Sequence, residues 1–243
     1  MTLLRLDNVS KSYGGVVALR GLSLTVAAGE IVGLMGANGA GKTTAFSLIA
    51  GTQRPSSGEI WFAESRIDGK PAYAAARMGI ARTFQIVRPF GGLRVIDNLI
   101  VAALYGHERE ESRAIAEDRA RAILDEVGLA RDALRPAASL TLAGRKRLEV
   151  ARALATGPRL LLLDEVLAGL TATEVVEALQ LIRALHRRRD LTLIVIEHVM
   201  RALTQLCGRI VVLHHGEKIA EGSPTEILAN QRVIDSYLGA KRR

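Results

Sequence analysis

The chain opens on short stretches in which apolar and polar positions alternate. Residues 3–9 alternate around Leu4, Leu6 and Val9, the period-2 pattern of a half-buried strand. Residues 22–28 and 30–35 are apolar runs broken by Gly29, which predicts two buried strands. A glycine-rich loop occupies 36–41 and an apolar helical stretch covers 42–50. Ser56-Ser57-Gly58 predicts a turn before a strand at Glu59-Ile60-Trp61-Phe62. From about 93 to 156 the pattern becomes mostly helical. Segment 109–127 sets Ile115, Ala116, Ile123, Leu124 and Val127 among Glu and Arg, and Pro136 separates it from a helix at roughly 143–156. Leu160-Leu161-Leu162-Leu163 predicts a buried strand that ends in Asp164-Glu165. A helix near 172–188, a strand from Leu191 to Ile196, a further helix and strands at 209–213 and 217–220 close the pattern. Strands alternating with helices predict an α/β fold with a mostly parallel sheet. The helical middle reads as an insertion into it.

Composition narrows the classes. The 243 residues allow one large domain, or a domain with a subdomain. Apolar residues make up 49% and charged residues 24%, which argues against a disordered chain. Aromatic residues are only 4%, so Leu, Ile, Val and Ala must build the core. No apolar run reaches the roughly 18 residues of a membrane-spanning helix. Met1 to Asp7 carries an acidic residue where a signal peptide needs its apolar stretch. One cysteine, Cys207, excludes an internal disulfide and cannot make a cysteine-based zinc site alone. The expectation is a cytoplasmic protein. The net charge of +8 leaves nucleic acid, an anionic membrane surface and phosphorylated ligands all open. The basic residues are scattered, with no stripe that interleaves aromatics, so charge alone assigns no nucleic-acid role.

Two motifs carry chemistry. Gly36-Ala37-Asn38-Gly39-Ala40-Gly41-Lys42-Thr43 follows a predicted strand and opens a predicted helix, the context of a P-loop. Glycines let backbone N–H groups curl around phosphate oxygens, and the helix N-terminus adds its positive dipole end. Lys42 would reach the β- and γ-phosphates, and Thr43 would offer a hydroxyl to Mg²⁺. The second motif is the Leu160–Leu163 run before Asp164-Glu165. A strand ending in Asp can set a carboxylate near the P-loop Mg²⁺, and Glu165 could activate an attacking water.

Together these residues resemble the ATP-binding cassette (ABC) ATPases over nearly the whole chain. The resemblance places Tyr13 where an aromatic stacks on adenine. It identifies Arg82-Thr83-Phe84-Gln85 as the glutamine loop, with Gln85 on Mg²⁺ and facing the transmembrane partner. It makes His198 the switch histidine on the γ-phosphate, and Ala168-Gly169-Leu170-Thr171 the loop that crosses the dimer interface. Lys42 to Gln85 spans 43 residues and Asp164 to His198 spans 34, as the family would show. Val166 departs from the family's usual proline. The signature, usually Leu-Ser-Gly-Gly-Gln, falls on Leu140-Thr141-Leu142-Ala143-Gly144 when anchored on Arg147-Leu148-Glu149-Val150-Ala151-Arg152. Thr141 then keeps the hydroxyl, while Leu142 and Ala143 replace two glycines. A one-residue shift would align Ala143-Gly144 with the glycine pair but put Leu142 where the hydroxyl belongs.

The resemblance implies a P-loop NTPase (RecA-like) α/β core with an antiparallel β subdomain and an inserted α-helical subdomain. Residues 1–243 would form a single ABC ATPase domain, with the helical subdomain at approximately 91–156. ATP and Mg²⁺ are the implied cofactors. The nucleotide would meet Tyr13, Gly36, Ala37, Asn38, Gly39, Ala40, Gly41, Lys42, Thr43, Thr44, Gln85, Thr141, Ala143 and Gly144. The metal would meet Thr43, Gln85 and Asp164, and the catalytic groups would be Lys42, Glu165 and His198. Since the signature acts on the other subunit's ATP, an altered signature beside an intact Glu165 implies unequal sites in a heterodimer.

Within the family, three stretches are similar to the ATPases of branched-chain (hydrophobic) amino-acid importers. They are Gly79 to Gln85, Arg147 to Leu154, and the tail from Gly216 to Pro224 and on through Tyr237-Leu238-Gly239. That branch implies two permease subunits, a second cassette in a hetero- or homodimer, and an extracytoplasmic binding protein. It implies a peripheral place on the cytoplasmic face of the inner membrane. Cassettes for lipopolysaccharide export, or for urea, amide or aromatic-acid import, remain alternatives. ABC ATPases that act on DNA or ribosomes fit less well: Lys42 to Leu140 is only 98 residues without sustained heptads, and the chain holds one cassette.

Overall fold

The computed structural model describes residues 1–84, 89–198 and 200–238. Strands β1 (Thr2–Tyr13), β2 (Val16–Ala27) and β3 (Ile31–Met35) lead into helix α1 (Lys42–Ile49). Next come β4 (Ser57–Phe62), β5 (Ser65–Arg66), α2 (Ala72–Arg77) and β6 (Ile80–Arg82). Helices α3 (Val95–Tyr105), α4 (Arg113–Glu126) and α5 (Leu142–Ala155) precede β7 (Leu160–Asp164). The chain continues through α6 (Ala172–Arg189), β8 (Thr192–Ile196), α7 (Met200–Leu206), β9 (Arg209–His214) and β10 (Glu217–Gly222). It closes on α8 (Pro224–Ala229) and α9 (Gln231–Leu238). No helix among the described residues is long and apolar enough to cross a membrane. Two compact units form, one from Met1–Ala75 with Thr192–Arg243 and the other from Ala76–Leu191.

The first unit holds an antiparallel sheet in the order β2-β1-β4-β5. Leu4, Leu6 and Val9 of β1 are buried with Leu22, Leu24 and Val26 of β2 and Ile60 and Phe62 of β4, so one face of this sheet is apolar. β1 is longer than its alternation suggests. Its register against β2 slips between Leu6 and Val9, where Asn8 takes φ 50°. Such a bulge breaks the period of two, and the pattern becomes unreadable beyond it. The same unit contains β3 paired in parallel with both β8 and β9, with β10 antiparallel on β9. Nearly every residue of these three parallel strands is buried, so they read as unbroken apolar runs.

The second unit holds the short parallel pair β6 and β7, with Ile80 opposite Leu160 and Arg82 opposite Leu162. Its helices bury apolar stripes at helical spacing. α3 buries Val95, Ile96, Leu99, Ile100 and Ala103, and α4 buries Ala116, Ala120, Ile123 and Leu124. α4 starts at Arg113, where the Ser112 hydroxyl accepts from the Ile115 N–H at 3.3 Å; the polar residues before it precede this N-cap. α6 opens on a reciprocal cap between Thr171 and Glu174 and ends in a basic turn, which suits the helix dipole. Arg189 in that turn grips Glu126 through two hydrogen bonds, of 2.9 and 2.7 Å.

Candidate active site

In the first unit, β3 runs into the loop 36–41 and then into α1. Gly36 takes φ 156° and Gly41 φ 100°. A Cβ on Gly36 would lie 2.4 Å from the Leu213 carbonyl oxygen, and one on Gly41 would lie 2.6 Å from that of Ala18. Both positions therefore require glycine on conformational and steric grounds. The loop is braced by the Ala40 N–H on the Ala37 oxygen (3.1 Å) and the Gly216 N–H on the Ala40 oxygen (3.1 Å). Lys42 is buried, and its Nζ donates to the Gly36 and Ala37 oxygens at 2.7 and 3.0 Å. Ala37, Asn38, Gly39 and Thr43 are exposed, and Thr44 is half-buried. No acidic residue lies in the first turn of α1, so nothing there opposes an anion. Tyr13 ends β1 with 45% of its surface exposed and the Lys11 ammonium 5.0 Å from its ring. His198 lies two residues beyond β8 and is exposed.

The second unit carries the acidic pair. Asp164 ends β7, is buried, and pairs with Arg82 at 2.7 Å between Oδ2 and Nη2. The Asp164 N–H donates to the Thr83 hydroxyl at 3.0 Å. Its second oxygen, Oδ1, is buried with no hydrogen-bond partner among the described residues. Glu165 is buried and takes φ 49°, a left-handed conformation rare for a residue with a side chain. Its carbonyl oxygen accepts from Lys146 Nζ at 2.7 Å and from the Ala168 N–H at 3.2 Å. Thr141 is the N-cap of α5, and its hydroxyl accepts from the Gly144 N–H at 3.1 Å. Leu142 is 41% exposed, and Ala143 and Gly144 are half-buried. Gln85 lies outside the described residues.

Three functional candidates escaped the sequence reading. Arg82 was part of a quoted motif without a role of its own, yet it fixes one oxygen of Asp164. Lys146 and Glu149 fall on the buried stripe of α5 with Val150, Ala153 and Leu154. Charged residues at those spacings, i, i+3, i+4, i+7 and i+8, were the available signal. Burial pushes the Glu149 carboxyl above its ordinary range, against the pull of Arg152 and of the Phe84 N–H that it accepts.

Comparison with known proteins identifies the family. The ABC transporter family matches residues 19–168, and a family described as branched-chain amino acid ATP-binding cassette transporter matches residues 217–242. The chain is 39% identical to the high-affinity branched-chain amino acid transport ATP-binding protein LivG of Salmonella typhimurium, over 98% of each chain. It is 37% identical to the lipopolysaccharide export system ATP-binding protein LptB of Escherichia coli, again over 98% of each. Among solved structures, the ADP conformation of the ATP-binding cassette MJ1267 superposes with a TM-score of 0.88 at 27% identity, over 98% of this chain and 99% of that one. The dimeric cassette MJ0796 bound to ADP and phosphate gives 0.83 at 25% identity, over 91% and 99%. With more than half its length matched by the family and relatives this similar from end to end, the chain belongs to the ABC transporter family, as an ATP-binding cassette ATPase of the P-loop NTPase fold.

Proposed function

We propose that this chain is the ATP-hydrolysing subunit of an importer for branched-chain or other hydrophobic amino acids. The match over the tail, residues 217–242, carries the substrate class. The likeness to LivG over both full lengths supports it. An export cassette is the competing reading, and that tail match weighs against it.

The mechanism follows from the residues. The amides of loop 36–41 and the start of α1 cradle the phosphates, with Asn38, Thr43 and Thr44 around them. Lys42 sets its charge on the β- and γ-phosphates. Tyr13 stacks its half-exposed ring on adenine. Mg²⁺ fits the oxygen chemistry present. Asp164 offers a buried oxygen with no hydrogen-bond partner among the described residues, and Thr43 an exposed hydroxyl at the helix start. Thr43, Asp164 and Gln85 would hold the ion, which prefers few protein oxygens and several waters. When bound, it neutralises charge on the transferred phosphoryl group. Glu165 takes the proton of the attacking water, and His198 holds the γ-phosphate.

Thr141 accepts from Gly144 and so keeps its own O–H free to donate. Together with Ala143 and Gly144 it would meet the nucleotide bound to a second cassette. The helical segment at approximately 91–156, within a single ABC ATPase domain, would face two permeases alongside Gln85. An extracytoplasmic binding protein would deliver substrate, with the cassette on the cytoplasmic face of the inner membrane. Affinity purification of the tagged chain from detergent-solubilised native membranes, followed by mass spectrometry, tests this assembly. Two permeases and a second cassette are expected. Recovery with ribosomal proteins or DNA from the soluble fraction would overturn it.

A further inference from the structure

The signature helix α5 buries a lysine on its apolar stripe. Lys146 is 7% exposed and shares that stripe with Val150, Ala153 and Leu154. Such an ammonium must spend its hydrogen bonds locally, because burial without partners is costly. One goes to the backbone oxygen of Glu165 at 2.7 Å, in a buried contact. Glu165 is also the residue held at φ 49°. A left-handed residue with a side chain persists only where its surroundings over-determine it.

The same helix touches the loop a second time. Leu142, its first residue, lies so close to Gly169 that a Cβ on that glycine would sit 3.1 Å from Leu142 Cδ2. α5 therefore holds the segment from Glu165 to Gly169 at both ends. Among α5, this loop and α6 lies a small cavity of about 30 Å³, whose lining includes Ala143, Lys146, Val166, Leu170 and Ile182. Packing between α5 and this loop is therefore not continuous. Thr141, the N-cap, is at the exposed end of this lever.

We propose that Lys146 is a positioning residue, which ties the placement of Glu165 to whatever binds at Thr141 of the same chain. A nucleotide on the partner cassette that engages Thr141 moves α5, and α5 carries the carbonyl of this chain's own base through Lys146. Each site of the pair then reports its occupancy to the other along one helix. This link rests on the reading of Glu165 as the base and of Thr141 as a contact to the partner's nucleotide.

The test uses the complex purified through the tagged chain, with Lys146→Met and the milder, shorter Lys146→Gln. Hydrolysis, ADP and ATP affinity, and thermal unfolding are measured together. The expected result is a loss of kcat of about 10- to 100-fold, the order that a roughly 1 Å misplacement of a reacting group costs. KM, nucleotide affinity and Tm should stay near the unmodified values. Lys146→Arg should recover most of kcat, because it restores a long cationic donor. In a Glu165→Gln background, Lys146→Met should add no further loss. An unchanged kcat in Lys146→Met and Lys146→Gln, with Glu165→Gln inactive, would overturn the link and leave the base standing. Full hydrolysis by Glu165→Gln would instead remove the base, and the link with it. A kcat loss matched by losses in affinity and Tm would mark Lys146 as a purely structural residue.

Discussion

Lys42 and Glu165 both sit where few other residues would serve, for opposite reasons. Lys42 is a buried cation whose Nζ donates to the carbonyls of Gly36 and Ala37, so its charge stays on the phosphate loop. Lys42→Ala should lower ATP affinity by at least about tenfold, about 1.4 kcal/mol, and abolish turnover. Fluorescent-nucleotide titration checks the first effect and a phosphate-release assay the second. Glu165 is a carboxylate held in a strained conformation, legible in the sequence only because it follows a run of leucines and Asp164. What the sequence hid is the support beneath such residues. Arg82 reaches Asp164, and Lys146 reaches Glu165, across 82 and 19 positions of chain. A single sequence has no periodicity that links residues so far apart. The P-loop was legible because its residues are contiguous and their spacing is itself the geometry.

At the scale of elements, buried apolar runs were read well and the shortest or irregular elements were missed. β3, β7 and β8 stood out as buried apolar runs. β6 has three residues, too few for any period to register. α8 and α9 were not read, although Ser223-Pro224 with Glu226 spells a capped start with proline in the first turn. The joints between elements are polar. Arg209, at the start of β9, donates to both oxygens of Glu30 at 2.7 and 2.9 Å, to the Thr25 carbonyl of β2 at 2.7 Å, and to Glu221 of β10. Burial raises the Glu30 and Glu221 carboxyls, but their hydrogen bonds outweigh it, those of Glu30 coming from Arg209 and Ala27 and those of Glu221 chiefly from Lys218 and then Arg209. Both end below the ordinary range. A lowered folded pKa means stability that is complete above the unfolded value and is lost as pH falls through the folded one. Arg209→Met should therefore be less stable at neutral pH. It should also lose less stability than the unmodified protein between about pH 5 and pH 3. Urea unfolding across that range measures both slopes; parallel slopes would mean the joint does not set them.

For the whole molecule, the order and spacing of the motifs along the chain were enough to place it in its family, because a shared fold brings its site residues from the same successive elements. The substrate was not legible in that way, since in the proposed assembly the cassette's residues meet nucleotide and permease rather than cargo. Asymmetry belongs to this scale too. In the proposed alignment of the signature, Leu142 and Ala143 stand where the family has glycines, in a chain that keeps Glu165. In a heterodimer, Glu165→Gln and the equivalent change in the partner should reduce single-turnover hydrolysis unequally, and equal losses would refute the asymmetry. The most direct test of the whole reading is ATP-driven uptake of radiolabelled leucine into proteoliposomes bearing the complex purified through this chain, supplied with its binding protein. Uptake that requires ATP and disappears with Glu165→Gln is the predicted result. ATP hydrolysis without leucine accumulation, or uptake that survives Glu165→Gln, would contradict it.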